Sequence, residues 1–437
     1  MTHRARARAG EPATEARSLP TAAAGSPGPL VSAAWLRDHL GDSDLLLVHV
    51  SPTRRVYNRR HLPGAVFADL HRDLALRGTA PATGDAVREW LLPSRGDVEA
   101  ALARWGGAEI ETHADLPITG PPGSTAEPPT EARGGPGATA EPPTPSSAAR
   151  APRVVFYDDV GLNRQAIRGY WLLRLYRFPA DRVHVLDGGI TAWLAAGGPV
   201  TDRATTGAAD PPATTGAATT AAATTGAATT GAATTGAADP PATTELLRGA
   251  RGRGASAMAP VSIRLGAIDP RLIATTDQVR AWSSEAALPG GPTRILDVRT
   301  AEEFVGADGH GARRAGRIPG ARNRCFADFL RPDSTIRSVP EILGLVCGSG
   351  VEPDEVRAVY CMGGVRAALA WFVLHELAGL DGVHNYAGSW EEWGNRTDVP
   401  VESDVVGGAP GAGDDAPAPR PLDGASDRSV APPVPLP

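Results

Sequence analysis

A regular pattern of apolar and polar residues begins near residue 30. The segment LVSAAWLRDHL (30–40) has the spacing of a short amphipathic helix that Ser32 would cap, and LLLVHV (45–50) is apolar enough for a buried strand. RVVFYDD (153–159) predicts a further buried strand, and IRGYWLLRLYRF, downstream of it, predicts a helix. Strands that alternate with helices favour a mainly parallel sheet flanked by helices, which is an α/β fold.

A second part of the chain repeats this pattern. Strands are predicted at RILDVR (294–299) and VRAVYC (356–361), and three pairs of segments echo each other in the same order. HLPGAVFADL (61–70) matches RIPGARNRCFADFL (317–330), VVFYDD matches RAVYCM, and DRVHVLDGGITAW matches DGVHNYAGSWEEW. Three ordered echoes favour a duplicated α/β domain over the alternative, a single α/β domain with chance similarities.

Between and around these parts the sequence loses its large apolar residues. One segment is rich in Pro, Gly and Ser and another repeats the motif ATTGA, so neither can bury a core. A repeat this short is typical of a flexible linker. The sequence therefore predicts, in order, a disordered N-terminus (1–28), a first domain (29–202) with a disordered insertion (about 117–152), a linker (203–260), a second domain (261–402) and a disordered tail (403–437).

Composition argues against several classes of protein. The formal net charge is −6, which is unlike a dedicated nucleic-acid binder. No apolar run approaches the ~18 residues of a transmembrane helix, and the basic N-terminus lacks the apolar segment of a secretory signal, so we expect a cytoplasmic protein without membrane partners. Three cysteines, Cys325, Cys347 and Cys361, form neither a CxxC pair nor a zinc-site spacing, so no metal and no organic cofactor are expected.

One cysteine lies where a nucleophile is expected. The segment VYCMGGVRAALAWF puts Cys361 between a predicted strand and the start of a helix. In such a loop backbone N–H groups point inward, Gly363 and Gly364 let the backbone turn, and the helix start adds partial positive charge. Together with the guanidinium of Arg366, these groups would stabilise a thiolate and hold the anionic part of a substrate.

The alternative for Cys361 is an unreactive core thiol, since free cysteine is commonly buried. The two glycines, the arginine and the immediate helix start favour the nucleophile. Cys325 and Cys347 have no such surroundings and are expected to be inert. Aligning the two halves puts Asp158 at the position of Cys361, so the first domain lacks the thiol.

These motifs, in this order, resemble the tandem-domain rhodaneses, the thiosulfate and 3-mercaptopyruvate sulfurtransferases. The resemblance is carried by HLPGAV and RIPGAR, VLDGGITAWLAAGGPVT, YCMGGVRAA and YAGSWEEW, and it covers about 30–202 without the insertion and about 270–402. It implies two rhodanese-like domains, of which only the second carries the cysteine that takes up a sulfane sulfur as a persulfide and passes it on. The first domain would be inactive and would lend residues to the cleft between the domains.

The resemblance also implies roles for particular residues. Cys361 would carry the sulfur, and Arg168, in the segment where the family has R-x-W-W, would bind the substrate from the first domain. Arg314 and Arg317 lie near where mercaptopyruvate-type members have a carboxylate-binding arginine, although surface charge is the alternative in so arginine-rich a segment. The cradle of the sulfur would consist of Met362, Gly363, Gly364, Val365 and Arg366.

Two sulfur donors are compatible with the loop. Mercaptopyruvate-type loops resemble C-G-S-G-V-T, and Gly363 replaces the hydroxyl of that motif; thiosulfate-type loops of the animal kind resemble C-R-K-G-V-T, and their two cations are absent. Arg317 replaces the usual His of the second motif, whereas His61 keeps the first. A dianion suits an arginine-lined cleft, so the sequence favours thiosulfate over 3-mercaptopyruvate. The acceptor would be cyanide, a small thiol or a thioredoxin-like protein.

Two further functions stay open on the sequence. Phosphatases of the same fold use C-x5-R, whereas Arg366 follows Cys361 in a tighter C-x4-R loop that suits a persulfide better. A non-enzymatic rhodanese-like binding or sensing module usually loses the cysteine, and this chain keeps it in the second copy. A cyanide-trapping assay for thiocyanate with both donors would separate the three functions.

Overall fold

The structure, a computed structural model, consists of two α/β units. The residues that it describes are 27–79, 87–106, 151–159, 162–203 and 265–405. Most of the predicted N-terminal lead-in, insertion, linker and tail lies outside these ranges. Within them, residues 27–203 contribute one main sheet and residues 265–405 another.

The first unit has a parallel five-stranded sheet and a separate antiparallel pair of strands, β4 and β5. The strands, numbered along the chain, are β1 (Leu30–Val31), β2 (Leu45–Ser51), β3 (Val66–Asp69), β4 (Leu76–Thr79), β5 (Val87–Leu91), β6 (Arg153–Asp158) and β7 (Val183–Leu186). The helices are α1 (Ala33–His39), α2 (Arg54–Arg59), α3 (Arg95–Arg104), α4 (Arg164–Leu175) and α5 (Gly189–Ala195), with short helical turns at Leu70–Leu74 and Ala180–Arg182.

The second unit has a parallel four-stranded sheet. Its strands are β8 (Ile295–Asp297), β9 (Arg322–Asn323), β10 (Ala358–Tyr360) and β11 (His384–Asn385). The helices are α6 (Thr276–Ala286), α7 (Ala301–Val305), α8 (Val339–Cys347), α9 (Val365–Trp371) and α10 (Ser389–Trp393), with helical turns at Phe326–Phe329, Pro353–Glu355 and, directly after α9, Phe372–Leu377.

The two sheets have the same strand order. The first is β1-β7-β6-β2-β3 and the second is β11-β10-β8-β9. A parallel bridge from Ile273 to Asn385 adds, beside β11, the counterpart of β1. The duplicated α/β fold that the sequence predicts is therefore confirmed.

Each unit contains the same internal contact, in which a backbone N–H donates to a buried tyrosine hydroxyl. The N–H of Leu62 donates to the Tyr157 hydroxyl at 3.0 Å, and the N–H of Ile318 donates to the Tyr360 hydroxyl at 3.2 Å. Both tyrosines are fully buried, and burial raises the pKa of each well above its ordinary value. Because Leu62 and Ile318 belong to the HLPGAV and RIPGAR motifs, the matched sequences make the same tertiary contact.

Local sequence signals set where several helices begin. Ser32 accepts a hydrogen bond from the N–H of Trp35 at 3.1 Å, which confirms the predicted cap of α1. Reciprocal capping boxes, in which the cap residue and the third helical residue satisfy each other's N–H groups, start α3, α6, α7 and α8. In the described ranges, no helix combines the length and the apolar character that crossing a lipid bilayer requires.

Helices α4 and α9 pack against each other and join the two units through one hydrophobic core. The rings of Tyr170 and Phe372 meet edge to face with their centroids 4.9 Å apart. The Trp171 indole N–H donates to the carbonyl of Leu272 at 3.1 Å. Burial of aromatic surface of this kind is a major source of stability, so the contact fixes the start of α4 beside the start of α9.

Candidate active site

Cys361 lies in a buried loop between β10 and α9, where the sequence puts it. Its side chain is 1% exposed, and its Sγ accepts a hydrogen bond from the N–H of Gly364 at 3.1 Å. The N–H of Trp390 donates to the Cys361 carbonyl at 2.9 Å, and the N–H of Glu391 donates to the Met362 carbonyl at 2.8 Å. These two hydrogen bonds from the start of α10 hold the loop in place. The loop itself supplies the Gly364 N–H to the sulfur.

The two glycines of the loop are required by close contacts. Gly364 has a φ of 82°, a region that favours glycine, and a Cβ there would lie 2.8 Å from the carbonyl oxygen of Ala387. A Cβ on Gly363 would lie 2.0 Å from Cγ of Trp90, a residue of β5 in the first unit. The Trp90 side chain thus covers the loop, and a larger residue at position 363 would have to displace it.

Arg366 is held by a carboxylate beside the loop. Its Nη1 and Nη2 donate to the two carboxylate oxygens of Glu303 at 2.6 and 2.8 Å. Burial alone would lower the pKa of Arg366, but Glu303 outweighs it and the pKa is raised. For Glu303 burial acts to raise the pKa, and Arg366 reverses the direction, so this carboxyl is ionised at neutral pH. The two-pronged pair fixes the guanidinium close to Cys361.

Arg168, the fifth residue of α4, reaches the same loop from the first unit. Its side chain is fully buried, with Nε donating to the Leu74 carbonyl at 3.2 Å and Nη1 donating to the Gly364 carbonyl at 3.3 Å. Its Nη2 has no hydrogen-bond partner among the described residues. Burial lowers the pKa of Arg168 to about 10, and the nearby Cys361 acts in the opposite direction. The guanidinium is therefore a buried cation with one nitrogen, Nη2, that has no partner among the described residues.

An open cleft runs beside this loop between the two units. The first unit contributes Trp90 and Leu92, and the second contributes Ile273, Tyr386 and Ala387, among other residues. Trp90 also contacts Gly363. The side chain that covers the cysteine loop is therefore part of the cleft wall. The wall that it offers is mainly apolar.

Asp158 of the first unit occupies the position that Cys361 has in the second. It is fully buried, and its Oδ2 accepts hydrogen bonds from the N–H groups of Gln165 and Ala166 at 3.0 and 3.3 Å. Its Oδ1 has no partner among the described residues. Burial raises the pKa of Asp158 to about 6. A carboxylate thus takes the backbone donors at the start of α4, much as the sulfur takes one near the start of α9.

Two of the arginines predicted for the site are engaged elsewhere. The Nη1, Nη2 and Nε of Arg314 donate to the carbonyls of Val399, Trp393 and Gly394 at 2.8, 2.9 and 3.4 Å, so this side chain closes the end of α10. Arg317 pairs with Asp404 at 2.8 Å and Glu402 at 3.3 Å. These contacts are those of structural residues, so Arg314 and Arg317 are not carried into the site proposed below.

Some residues around the loop escaped the sequence analysis. Glu303 was visible only as the third helical residue of a capping box, and Trp90 carried no signal. Asp297 and Arg299 form an ion pair with both side chains fully buried, and the Arg299 guanidinium carbon lies 4.6 Å from the centre of the Trp390 ring. This pair links β8 to the start of α10, which in turn holds the loop.

The fold and the site define a class of protein: a buried cysteine follows a parallel strand, enters a helix through a glycine loop, and occurs in one of two similar units. Residues 277–396 match the family model described as a rhodanese-like domain, and the second unit is a rhodanese-like domain. The structure resembles the crystal structure of SseA from Escherichia coli, a 3-mercaptopyruvate sulfotransferase, with a TM-score of 0.50 and 19% identity over 83% of this chain and 99% of that one. That likeness shows that both units share the rhodanese fold.

Relatives in sequence bear related names. The thiosulfate sulfurtransferase of Corynebacterium glutamicum is 42% identical over 121 residues, which are 26% of this chain and 39% of the relative. SseA of Mycobacterium leprae, provisionally named a thiosulfate sulfurtransferase, is 26% identical over 393 residues, or 88% of this chain and 94% of its own length. At more than 40% identity, the chain spans about 40% of the length of the curated relatives that it matches.

The raised pKa of Asp158 makes a prediction about stability. A folded-state pKa of about 6 against 3.8 in the unfolded chain means that Asp158 stabilises the fold most below pH 3.8, and that this contribution is lost as the pH rises through 6. The loss is on the order of 3 kcal/mol. Asp158→Asn is neutral at every pH and keeps an oxygen for the helix start, so we expect it to be more stable than the parent at pH 7–8.

Urea unfolding of Asp158→Asn and of the parent between pH 4 and 8 measures this difference. Asp38→Asn, at an exposed site of α1, is the matched control and should follow the parent curve. Equal pH dependence of the parent and of Asp158→Asn would contradict the prediction.

Proposed function

We propose that the protein is a sulfurtransferase that moves a sulfane sulfur from thiosulfate to cyanide or a thiol through a persulfide on Cys361. The observation that carries the proposal is the convergence of two guanidinium groups, one from each unit, on a buried loop whose N–H donates to Cys361 Sγ. Buried cations without a neutralising carboxylate are costly. The spare donor of Arg168 is therefore best explained by an anion that binds there.

The first half-reaction follows from this arrangement. The Cys361 thiolate attacks the outer, sulfane sulfur of thiosulfate, so that a new S–S bond forms as the S–S bond of thiosulfate breaks. The bonding electron pair leaves with sulfite. Arg168 holds the sulfonate end, and the Gly364 N–H, aligned before the reaction, stabilises charge on the sulfur during transfer. Arg366, anchored by Glu303, keeps a positive charge close to the loop.

The second half-reaction returns the enzyme to its starting state. Cyanide attacks the outer sulfur of the persulfide, forms the C–S bond of thiocyanate, and leaves the electron pair of the broken S–S bond on Cys361. A small thiol or a thioredoxin-like protein would attack in the same way and leave as its own persulfide. Burial of Cys361 suits the intermediate, because a dry loop protects a persulfide from water.

A contact between the units supports the choice of thiosulfate as the donor. A mercaptopyruvate-type hydroxyl at position 363 is absent, and Trp90 fills the place where its side chain would lie. That contact supports thiosulfate. The second candidate, 3-mercaptopyruvate, is supported by the fold shared with the Escherichia coli protein. A phosphatase is disfavoured because Arg366 follows Cys361 in a C-x4-R loop, one residue shorter than the C-x5-R loop of phosphatases. In a non-enzymatic module, the unpartnered Nη2 of Arg168 would have no anion to bind.

Cys361 is expected to carry the transferred sulfur. Incubation of the full chain with thiosulfate should add the mass of one sulfur to the peptide that contains Cys361, and Cys361→Ser should abolish thiocyanate production. Cys347→Ser, at an exposed cysteine, is the control and should keep parental turnover. Turnover by Cys361→Ser, or an added mass on Cys325 or Cys347, would reject the proposal.

Arg168 is expected to bind the anionic end of the donor. A charge-assisted contact is typically worth ~1.5–3 kcal/mol, so Arg168→Ala should lower kcat/KM about 10- to 150-fold. Arg168→Lys should recover only part of the loss, since an ammonium cannot reproduce the planar contact. Arg168→Met fills the buried space without the charge, and should be at least as stable as the parent but as slow as the alanine variant.

Steady-state kinetics with thiosulfate and thermal unfolding of each variant measure these effects. Arg55→Ala, at an exposed arginine of the same unit, is the control. If Arg168→Met keeps the parental KM within twofold and an unchanged kcat, Arg168 has no part in donor binding.

The donor preference is tested by the same assay. With cyanide as acceptor, kcat/KM for thiosulfate should exceed that for 3-mercaptopyruvate, because position 363 has no hydroxyl for the second donor. The reverse order would replace thiosulfate by 3-mercaptopyruvate as donor, and formation of no thiocyanate from either would favour the binding module.

A further inference from the structure

A serine beside Cys361 has a backbone conformation that favours glycine. Ser389, the first residue of α10, has a φ of 51° and is fully buried. In this left-handed region a residue with a Cβ is less stable than glycine. A non-glycine residue that persists there next to a reactive group suggests that its side chain has a use.

The first unit provides an internal comparison. Gly189, the first residue of α5, matches Ser389 in the paired segments DRVHVLDGGITAW and DGVHNYAGSWEEW, and its φ is 54°. It lies beside Asp158: a Cβ there would be 2.8 Å from the Asp158 carbonyl oxygen. This one residue is therefore left-handed in both units, although the glycines before it differ, with a φ of 75° at Gly188 and −64° at Gly388. Glycine occurs beside the carboxylate, and serine occurs beside the thiol.

The Ser389 hydroxyl contacts the cysteine directly. Its Oγ accepts a hydrogen bond from the N–H of Cys361 at 3.1 Å, donates to the carbonyl of Tyr386 at 2.8 Å, and lies 4.0 Å from Cys361 Sγ. The main-chain N–H of Cys361 is buried at the end of β10 and needs an acceptor. The hydroxyl supplies it and in doing so fixes the residue that carries the sulfur.

We propose that Ser389 is a positioning residue for Cys361, whose hydroxyl accepts the N–H of Cys361 and so anchors the cysteine backbone beside the sulfur. This inference rests on the proposed sulfur transfer for its effect on turnover, but not for its effect on the thiol itself. The strained backbone is retained in the second unit because only a residue with a side chain can place a hydroxyl there. In the first unit, which has no thiol to hold, glycine relieves the strain.

Two substitutions separate this role from a merely structural one. Ser389→Ala and Ser389→Gly both remove the hydroxyl, but only Ser389→Gly relaxes the backbone, so it should unfold at a higher temperature than Ser389→Ala. If the hydroxyl positions Cys361, both variants should lose about tenfold in kcat, the size expected for one hydrogen bond at a reacting residue. The KM for thiosulfate should stay within twofold, because Arg168 and the loop N–H groups are intact.

A second measurement does not depend on the sulfur donor. The rate of alkylation of Cys361 by iodoacetamide, followed by mass spectrometry at fixed pH, should change in parallel in the two Ser389 variants. Gly189→Ala in the first unit is the control: it introduces strain away from the thiol and should leave the alkylation rate of Cys361 at the parental value.

The outcomes are distinct. Parental kcat and alkylation rate in Ser389→Gly, with losses only in the less stable Ser389→Ala, would overturn the positioning role and leave a structural one. Altered alkylation in both variants of a protein that forms no thiocyanate would support the positioning role while rejecting the proposed sulfur transfer.

Discussion

Packing of α4 against α9 is the contact on which the candidate site depends. Each helix begins at the carboxyl end of a parallel strand, β6 in one unit and β10 in the other, and the packing brings these two helix starts together in a common core. Arg168 can reach Gly364 only because of that contact. The same approach puts Trp90 over Gly363. The candidate site is therefore a product of two units, although Cys361 belongs to one.

The two units satisfy the backbone donors near a helix start with different side chains. In both, a strand ends at a helix start where backbone donors need an acceptor. Asp158 provides a carboxylate that takes two of these donors, and Cys361 provides a sulfur that takes one. The fully buried carboxylate of Asp158 satisfies these donors itself, so they are not available to a bound molecule. A sulfur leaves donors and a nearby cation available to a substrate. The exchange of Asp158 for Cys361 is thus one difference between the copies, and the exchange of Gly189 for Ser389 beside it is another.

Local patterns in the sequence were sufficient for much of this architecture. The strand–loop–helix around Cys361, the cap at Ser32 and the echo of HLPGAV in RIPGAR all depend on neighbouring residues, and the structure contains each of them. Arg168 was expected near a helix start, and it lies one turn into α4, at its fifth residue. Its complete burial was not foreseen, because it results from α9, a helix of the other unit.

Contacts between distant segments account for what the sequence left out. Arg314 and Arg317, in the ARRAGRIPGA segment, were predicted to bind the substrate. The carbonyls and carboxylates that they contact instead belong to residues 393–404, far along the chain. The pairing of Glu303 with Arg366 and the position of Trp90 have the same origin. The left-handed backbone conformation of Ser389 is not predicted by any residue pattern in the sequence. Such features need the tertiary structure.

The common core of the two units also constrains how such a chain can change over time. Once each copy covers apolar surface of the other around α4 and α9, deleting either copy would expose that surface to water. The copy without the thiol can therefore lack a cysteine of its own, but the other copy still needs it for packing and for Arg168. The interface between the described units already fixes how they meet. A long tract of repeated Ala, Thr and Gly can therefore accumulate between two units whose contact residues must be kept.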